Sequence, residues 1–285
     1  MALKRAAAPE CETAAMRLAV VGHVEWVEFA RVERVPAPGE IAHATETWTE
    51  AAGGGAVAAV QLARLGAETT LFTVLGNDEL GRRSRRQLTG QGVIVRAVVA
   101  AEPQRRAFTF VDVDGERTIT VLGDKLRPSG SDGRLPWEEL ARSDGAYFVS
   151  GDEAALRAAR RARVLVATSR ELDTLRAGEV ELDALVGSGE DPGERFGPGE
   201  LEPRPRLVVT TAGPLGGWMN PGGPYLAAPL PGPVEDAYGC GDSFAAGLTF
   251  ALAEGRSPEE AVELGARCGA AVLTGRGAFA GQLTL

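Results

Sequence analysis

The sequence predicts an α/β fold, a mostly parallel central sheet with helices on both faces, and two observations carry that expectation. From Glu68 to about residue 177, short β-prone apolar runs alternate with stretches of helical character. Strands that alternate with helices in this way assemble into a parallel sheet whose faces the helices cover. The chain also has 285 residues, 44% of them hydrophobic, which is enough for one large domain with a full core. In such sheets ligands sit beyond the carboxyl ends of the strands. Functional residues are therefore sought in the segments that follow strands.

Taken in order, the first strand is expected at Arg17 to Val21, an apolar run that ends in Gly22-His23-Val24-Glu25-Trp26-Val27-Glu28-Phe29. Pro36-Ala37-Pro38-Gly39-Glu40 is a turn, and residues 41–49 are Thr-rich and β-prone. Gly53-Gly54-Gly55 opens a helix that stops near Gly66. A strand at 69–75, a helix at 79–91 and a strand at 93–100 follow. Residues 107–113 and 117–122 form a hairpin closed by Asp114-Gly115-Glu116. The alternation resumes with a strand at 145–149, a helix at 153–162, a strand at 164–167, a helix at 171–177 and a short strand at 184–186. Residues 187–204, rich in Gly, Pro and Glu, read as a loop. Residues 207–210 form a buried strand and residues 211–216 the turn after it, and the last long helix runs over 258–274.

Composition removes several function classes. The net charge is −9, so the basic footprint of a nucleic-acid binder is missing and an anionic membrane would repel the chain. Three cysteines, Cys11, Cys240 and Cys268, are too few and too scattered for a disulfide framework or a zinc cluster. No apolar run reaches the length of a membrane span, and the first fifteen residues lack the apolar core of a secretion signal. These features together predict a cytoplasmic protein with a loose tail over residues 1–15. Two histidines in the whole chain argue against a Ser-His hydrolase, and no GxxxxGK[ST] phosphate loop occurs.

The chemistry-bearing stretch is Asp236-Ala237-Tyr238-Gly239-Cys240-Gly241-Asp242-Ser243-Phe244, followed at once by an apolar helical run over 245–252. Gly239 and Gly241 allow a tight turn and close approach of a ligand to the backbone. The helix that starts there offers unpaired N–H groups, a ready anion site. Asp242 falls in the first helical turn, placed to accept a proton from a hydroxyl. Phosphoryl transfer needs these two things together, donors for the moving charge and a base for the nucleophile. Cys240 stands at a position with no room for nucleophilic chemistry and contributes its backbone N–H.

Asp236-x-x-Gly239-x-Gly241-Asp242-Ser243-Phe244 resembles the C-terminal signature of the ribokinase-like (PfkB) carbohydrate kinases. The resemblance covers the chain from about Arg17 to Ala280. It implies ATP and Mg2+ as cofactors, a sugar-like small molecule as acceptor, Asp242 as catalytic base, and Gly239, Cys240 and Gly241 as the anion-binding turn. Thr211-Ala212-Gly213-Pro214-Leu215-Gly216 is similar to the family's Thr-x-Gly-x-x-Gly, which implies that Thr211, Gly213 and Gly216 border the nucleotide. Gly275-Arg276-Gly277-Ala278 resembles its closing nucleotide loop and brings in Gly277. The family's Asn-x-x-Glu, which helps place magnesium, has no counterpart here, and Glu190, Asp191 and Glu194 are the nearest carboxylates.

For the acceptor, the resemblance implies a small β lid, strands near 28–50 and 96–122, over a pocket approached by Gly54 and Gly55. Exposed edges of such lids seek partners, and a homodimer through the lid sheet is consistent with that. Two departures stand out. Alignment on Gly22 puts Glu25 and Val27 where the family has Asn and Asp, and Val57 stands where it has a hydroxyl-binding Asn. An acceptor that is not an ordinary polyhydroxylated sugar follows, held by Glu25 with His23, Asp152 or Arg106 as replacement partners. For Asp152, at the end of the strand before Glu153, a helix cap is an equal reading. A non-catalytic nucleotide or metabolite sensor on the same fold is the alternative function, supported by the same departures.

Overall fold

Strand β1 (Arg17–Val21) is buried from Leu18 onward, and its period of two divides its side chains between two cores. Leu18 and Val20 enter one, Ala19 and Val21 the other. A strand buried on both faces belongs in the middle of a covered sheet. The computed structural model describes residues 15–285, so the tail expected over residues 1–15 lies, but for its last residue, outside the described residues.

The chain continues through β2 (Glu25–Arg31), β3 (Glu46–Ala52), α1 (Gly54–Arg64), β4 (Glu68–Leu75), α2 (Glu79–Gly90) and β5 (Ile94–Val99). A hairpin of β6 (Arg106–Val111) and β7 (Arg117–Leu122) intervenes before β8 (Gly145–Phe148), α3 (Glu153–Ala159), β9 (Val164–Thr168), α4 (Leu172–Gly178) and β10 (Ala184–Ser188). The last part holds β11 (Leu207–Thr211), β12 (Gly217–Asn220), β13 (Gly223–Tyr225), α5 (Cys240–Ala253) and α6 (Pro258–Val272).

The large sheet has nine strands in the order β13-β12-β11-β10-β9-β8-β1-β4-β5. Every pairing from β11 to β5 is parallel, and only β12 and β13 run antiparallel at the edge. Strand β1 is where the order reverses, since β4 and β5 lie on one side of it and β8 to β11 on the other. The crevice at the carboxyl ends of β1 and β8 is thus the topological switch point, where such sheets bind ligands. Helices α1, α5 and α6 pack on one face, α3 and α4 on the other. A second sheet of four strands, β3-β2-β6-β7, is built from the Thr-rich stretch and the hairpin, with β2 and β6 parallel. None of the helices among the described residues is long and apolar enough to cross a membrane.

Several boundaries differ from the sequence expectation. Residues 41–45 are not strand, and β3 starts at Glu46, where pairing with β2 begins. The helix expected over 153–162 stops at Ala159, and the one over 171–177 starts with a single tight turn at Ser169–Glu171. The strands β12 and β13 were not foreseen, because their Gly- and Pro-rich stretches carry turn chemistry and only β11 supplies the missing partner. A short 3-10 helix at Trp137–Arg142 was also missed, and it stacks Trp137 on Phe72 at 5.4 Å between centroids.

Helices α5 and α6 pack backbone to backbone. A Cβ on Gly247 would lie 2.7 Å from the Cys268 Sγ and 3.0 Å from the Leu264 carbonyl, and one on Gly265 would lie 2.9 Å from the Phe244 carbonyl. The second helix is independently well started: Ser257 and Glu260 form a reciprocal capping box with Pro258 in the first turn. Gly247→Val should therefore destabilise the fold by about 1–3 kcal/mol through overpacking. Gly90→Ala, at an open helix position, should be neutral or stabilising by up to about 1 kcal/mol. Urea midpoints of the two variants at unchanged m-value check the pair.

Candidate active site

Two glycine turns meet at the switch point. One is Gly53-Gly54-Gly55 at the start of α1, the other Gly239-Cys240-Gly241 at the start of α5. Gly239 has φ of 79°, a left-handed conformation in which a side chain would be strained, and its Cβ would lie 2.8 Å from Val57 Cγ1. A Cβ on Gly54 would lie 2.7 Å from Asp242 Oδ1, and one on Gly22 would lie 2.9 Å from the Gly55 Cα. The Gly53 N–H donates to the Tyr238 hydroxyl at 3.2 Å. No side chain caps α5, and its first backbone bond runs from the Ser243 N–H to the Gly239 carbonyl at 2.9 Å. The N–H groups of Cys240, Gly241 and Asp242 have no intrahelical partner and are available to an anion.

Asp236 braces this turn. Fully buried, it accepts the Tyr238 N–H at 2.8 Å and the Gly277 N–H at 3.0 Å, which ties the loop after α6 to the start of α5. The small sheet closes over the same point. Arg117 on β7 donates to the Ala237 carbonyl at 2.8 Å, and Glu50 on β3 accepts the Ala278 N–H at 2.8 Å.

These elements enclose a cleft of about 370 Å³, and Asp242 lies on its wall. Burial pushes the Asp242 carboxyl up to about 7; the charge of Glu194 adds to the push, and Arg117 and Arg170 oppose it. A carboxylate poised near neutrality is suited to proton transfer. Burial also raises the Cys240 thiol, which stays protonated and unsuited to nucleophilic attack. Toward the other end stand His23 and Glu25. Burial, reinforced by Lys125, Arg105, Arg127 and Arg170, drives the His23 pKa well below its ordinary value, so the imidazole is neutral and its 3.7 Å approach to Glu25 is no ion pair. Burial raises the Glu25 carboxyl, against the pull of Arg105 and Lys125. A second groove of about 550 Å³ runs beside β5, but it is open to solvent and its Arg96 and Glu139 neutralise each other at 3.0 Å.

Of the residues singled out in the sequence, His23, Glu25, Gly54, Glu194, Thr211, Gly239, Gly241 and Asp242 line the cleft. Cys240 is part-exposed beside them, and Gly55 sits behind, where a Cβ would meet the His23 carbonyl at 2.6 Å. Gly213, Gly216 and Gly277 lie off the cleft. Gly216, with φ of 90°, turns the chain against the backbone of Tyr225 and Leu226, and Gly277 packs on Glu50 and Trp48. Two expectations for the acceptor need correction. Asp152 is a helix cap, accepting the N–H groups of Ala155 at 2.7 Å and Gly130 at 2.9 Å. Arg106 points to the far side of the lid, bound to Glu28 at 2.5 Å, because alternation along β6 sends Arg105 into the cleft in its place. Val27 and Val57 are both fully buried in the core.

Arg105, Arg117, Lys125, Arg170, Tyr147 and Thr168 enter the cleft without having been foreseen. They come from the lid and from strand ends far apart in the chain. The consecutive arginines Arg105 and Arg106 were the one signal in the sequence, and it did not say which of them faces inward.

A family model for "pfkB family carbohydrate kinase" matches residues 15–139 and 137–284. The chain is 30% identical over 278 residues to an ATP-dependent ribose-1-phosphate kinase of Halopiger xanaduensis, covering 90% of this chain and 91% of that one. It is 29% identical over 274 residues to a fructokinase of Klebsiella pneumoniae, covering 79% and 87%. Among solved structures, the ribokinase of Thermotoga maritima superposes with a TM-score of 0.75 at 22% identity, covering 94% of this chain and 96% of that one, a likeness of fold.

The raised Asp242 pKa has a consequence for stability. A carboxyl that titrates near 7 when folded and near 4 when unfolded holds its proton more tightly in the native state, so native stability falls as pH rises between those values. Asp242→Asn removes the loss. The variant should melt at the same temperature as the parent near pH 4 and should be the more stable by on the order of 1–2 kcal/mol above pH 7, the full shift being discounted for solvent contact. Thermal melts across that range check it.

Proposed function

We infer, from the premise that this chain belongs to the pfkB family of carbohydrate kinases, that it is an ATP-dependent phosphotransferase acting on a hydroxyl of a sugar or sugar-like molecule, with Asp242 as its base. The observation that carries the assignment of the base is the meeting of Asp242 with the unpaired N–H groups of α5 at the floor of the cleft. Asp242 takes the proton of the acceptor hydroxyl as that oxygen attacks the γ-phosphorus of ATP, and the bond to the β–γ bridging oxygen breaks with ADP leaving. The unpaired N–H groups of Cys240, Gly241 and Asp242, in the turn that Gly239 allows, receive charge on the transferred phosphoryl. Arg117, held on the carbonyl of Ala237, stands over the same turn and adds a fixed positive charge.

Thr211 lines the cleft at the end of β11. In this reading Thr211, Gly213 and Gly216 border the nucleotide, and Gly277 shapes its pocket through Asp236. Magnesium fits the donor set in one way. No cluster of three or more metal ligands exists among the described residues, which suits an ion held mainly by substrate phosphates and water. Glu194, in the cleft and paired to Arg170 at 2.7 Å, is the residue that would order its hydration shell. The ion would supply neutralisation of phosphate charge. A cytoplasmic location and pairing of two chains through the exposed strand β7 belong to the same proposal. A sensor without catalysis has the apolar Val27 and Val57 in its favour, but it gives no use to a carboxyl retained beside the anion turn.

Two measurements test this reading. Asp242→Asn should lower turnover by about two to four orders of magnitude with the fold intact, and an active variant would sink the role of the base. Mg·ATP at about 100 times its dissociation constant should stabilise the parent by roughly 2.7 kcal/mol in thermal melts, while NAD should not. Stabilisation by NAD in place of ATP would overturn the kinase assignment.

A further inference from the structure

Resting on the kinase reading, we propose that the acceptor is itself a phosphomonoester, a sugar phosphate, whose phosphate is seated on Arg105 and Lys125 at the end of the cleft formed by His23 and Glu25.

Arg105 is the first observation. Its side chain is only 12% exposed, and its Nε lies 3.0 Å from Glu25 Oε1. That approach is an ion pair without hydrogen-bond alignment, and both Nε and Nη1 are buried with no hydrogen-bond partner. Orphaned guanidinium donors are costly in a closed site, and they call for a ligand that only accepts. A phosphate does so with several oxygens in a geometry that suits the guanidinium fork.

The second observation is how Lys125 and Arg127 are held. Both pair with one carboxylate, Glu171, at 3.1 and 3.2 Å, and the Glu171 side chain is 2% exposed. One buried carboxylate anchoring two cations leaves a positive surplus beside the cleft, and Lys125 carries it to the wall. With Arg105, it sets two cations against the one carboxylate Glu25 at this end, in a chain whose net charge is −9. Such a local reversal of sign has a physical purpose only if the ligand is an anion.

The third observation concerns the other cations. Arg117 is engaged on the Ala237 carbonyl and Arg170 on Asp191 and Glu194, so both serve the end where the phosphoryl moves. Arg105 and Lys125 are therefore not needed for the nucleotide. Val27 and Val57, which stand where the resemblance implies hydroxyl-binding residues, are apolar, sealed in the core and absent from the cleft wall. A free sugar lacks those two polar partners, whereas a sugar phosphate gains an anchor that fixes the ring between Glu25 and Asp242.

The test pairs each sugar with its phosphate. Ribose against ribose 1-phosphate and ribose 5-phosphate, and fructose against fructose 1-phosphate and fructose 6-phosphate, are assayed for ADP release with Mg·ATP. At least one phosphorylated member should exceed its free sugar by about 100-fold or more in kcat/KM, the scale of a lost charge-assisted contact. Arg105→Gln and Lys125→Met should each raise the KM for that acceptor about 10- to 100-fold while leaving the KM for Mg·ATP unchanged, a split that general misfolding would not give. Calorimetric titration of the sugar phosphates without nucleotide, on the parent and on Arg105→Gln, reads the subsite independently of turnover. Preference for a free sugar, or equal losses for free and phosphorylated acceptors in Arg105→Gln, overturns the proposal and leaves the kinase reading standing. Sugar-phosphate binding that depends on Arg105 in a protein that binds no ATP would do the reverse.

Discussion

The close approach of two helix starts at the switch point of the sheet is the constraint on which the rest of the site depends. Where Gly54 stands against the Asp242 carboxylate and Gly239 against Val57, there is no space for a single added carbon. The two turns can meet only because Gly54 and Gly239 carry no side chain at the contacts, and only Gly239 among the residues of its turn must also adopt a left-handed backbone. Their meeting buries the carboxylate beside unpaired N–H groups. That one juxtaposition sets a carboxyl of raised pKa beside donors open to an anion.

The site is fastened from three directions, and each fastening is polar. Asp236 joins the C-terminal loop to the start of α5, Glu50 joins β3 to the same loop, and Arg117 joins β7 to the backbone of the anion turn. Polar groups buried in such contacts are costly when unpaired and directional when satisfied, so they specify one arrangement where apolar packing would tolerate several. Apolar packing does the bulk of the work elsewhere, in two cores divided by a sheet whose central strands alternate between them. The division of labour is physical: the cores give stability, and the polar ties give registration of the lid over the floor.

Electrostatics divides the cleft in two. At the floor, Arg117 and Arg170 moderate a carboxyl that burial drives up. At the far end, Arg105, Lys125 and Arg127 surround a histidine that burial and those cations hold neutral. A neutral imidazole beside Glu25 can exchange hydrogen bonds with a hydroxyl without adding charge of its own. Two cationic regions in one cleft suit the proposed reaction, in which a phosphoryl group moves toward an acceptor already carrying an anion.

The sequence by itself determined the fold class and the floor of the site. Alternating strands and helices, the paired glycines and aspartates from Asp236 to Asp242, and the glycine turn before α1 are local signals, because turn geometry and helix starts are set by neighbouring residues. The strand β1 and the hairpin of β6 and β7 were legible for the same reason, while β12 and β13 were not, since their pairing with β11 lies outside any local window. Only the tertiary structure decided the walls. Whether Arg105 or Arg106 faces inward depends on the register of β6 beside β2, and a one-residue slip would exchange them. Asp152 read equally as a cap and as a pocket residue in the sequence, and only the fold, which also brings Gly130 to it from an earlier loop, places it off the cleft. Lys125 and Arg170 reach the cleft through Glu171 and Glu194, partners that the sequence does not connect. Backbone geometry is written in short stretches of residues, whereas the charge of a cleft is a sum over segments that only folding brings together.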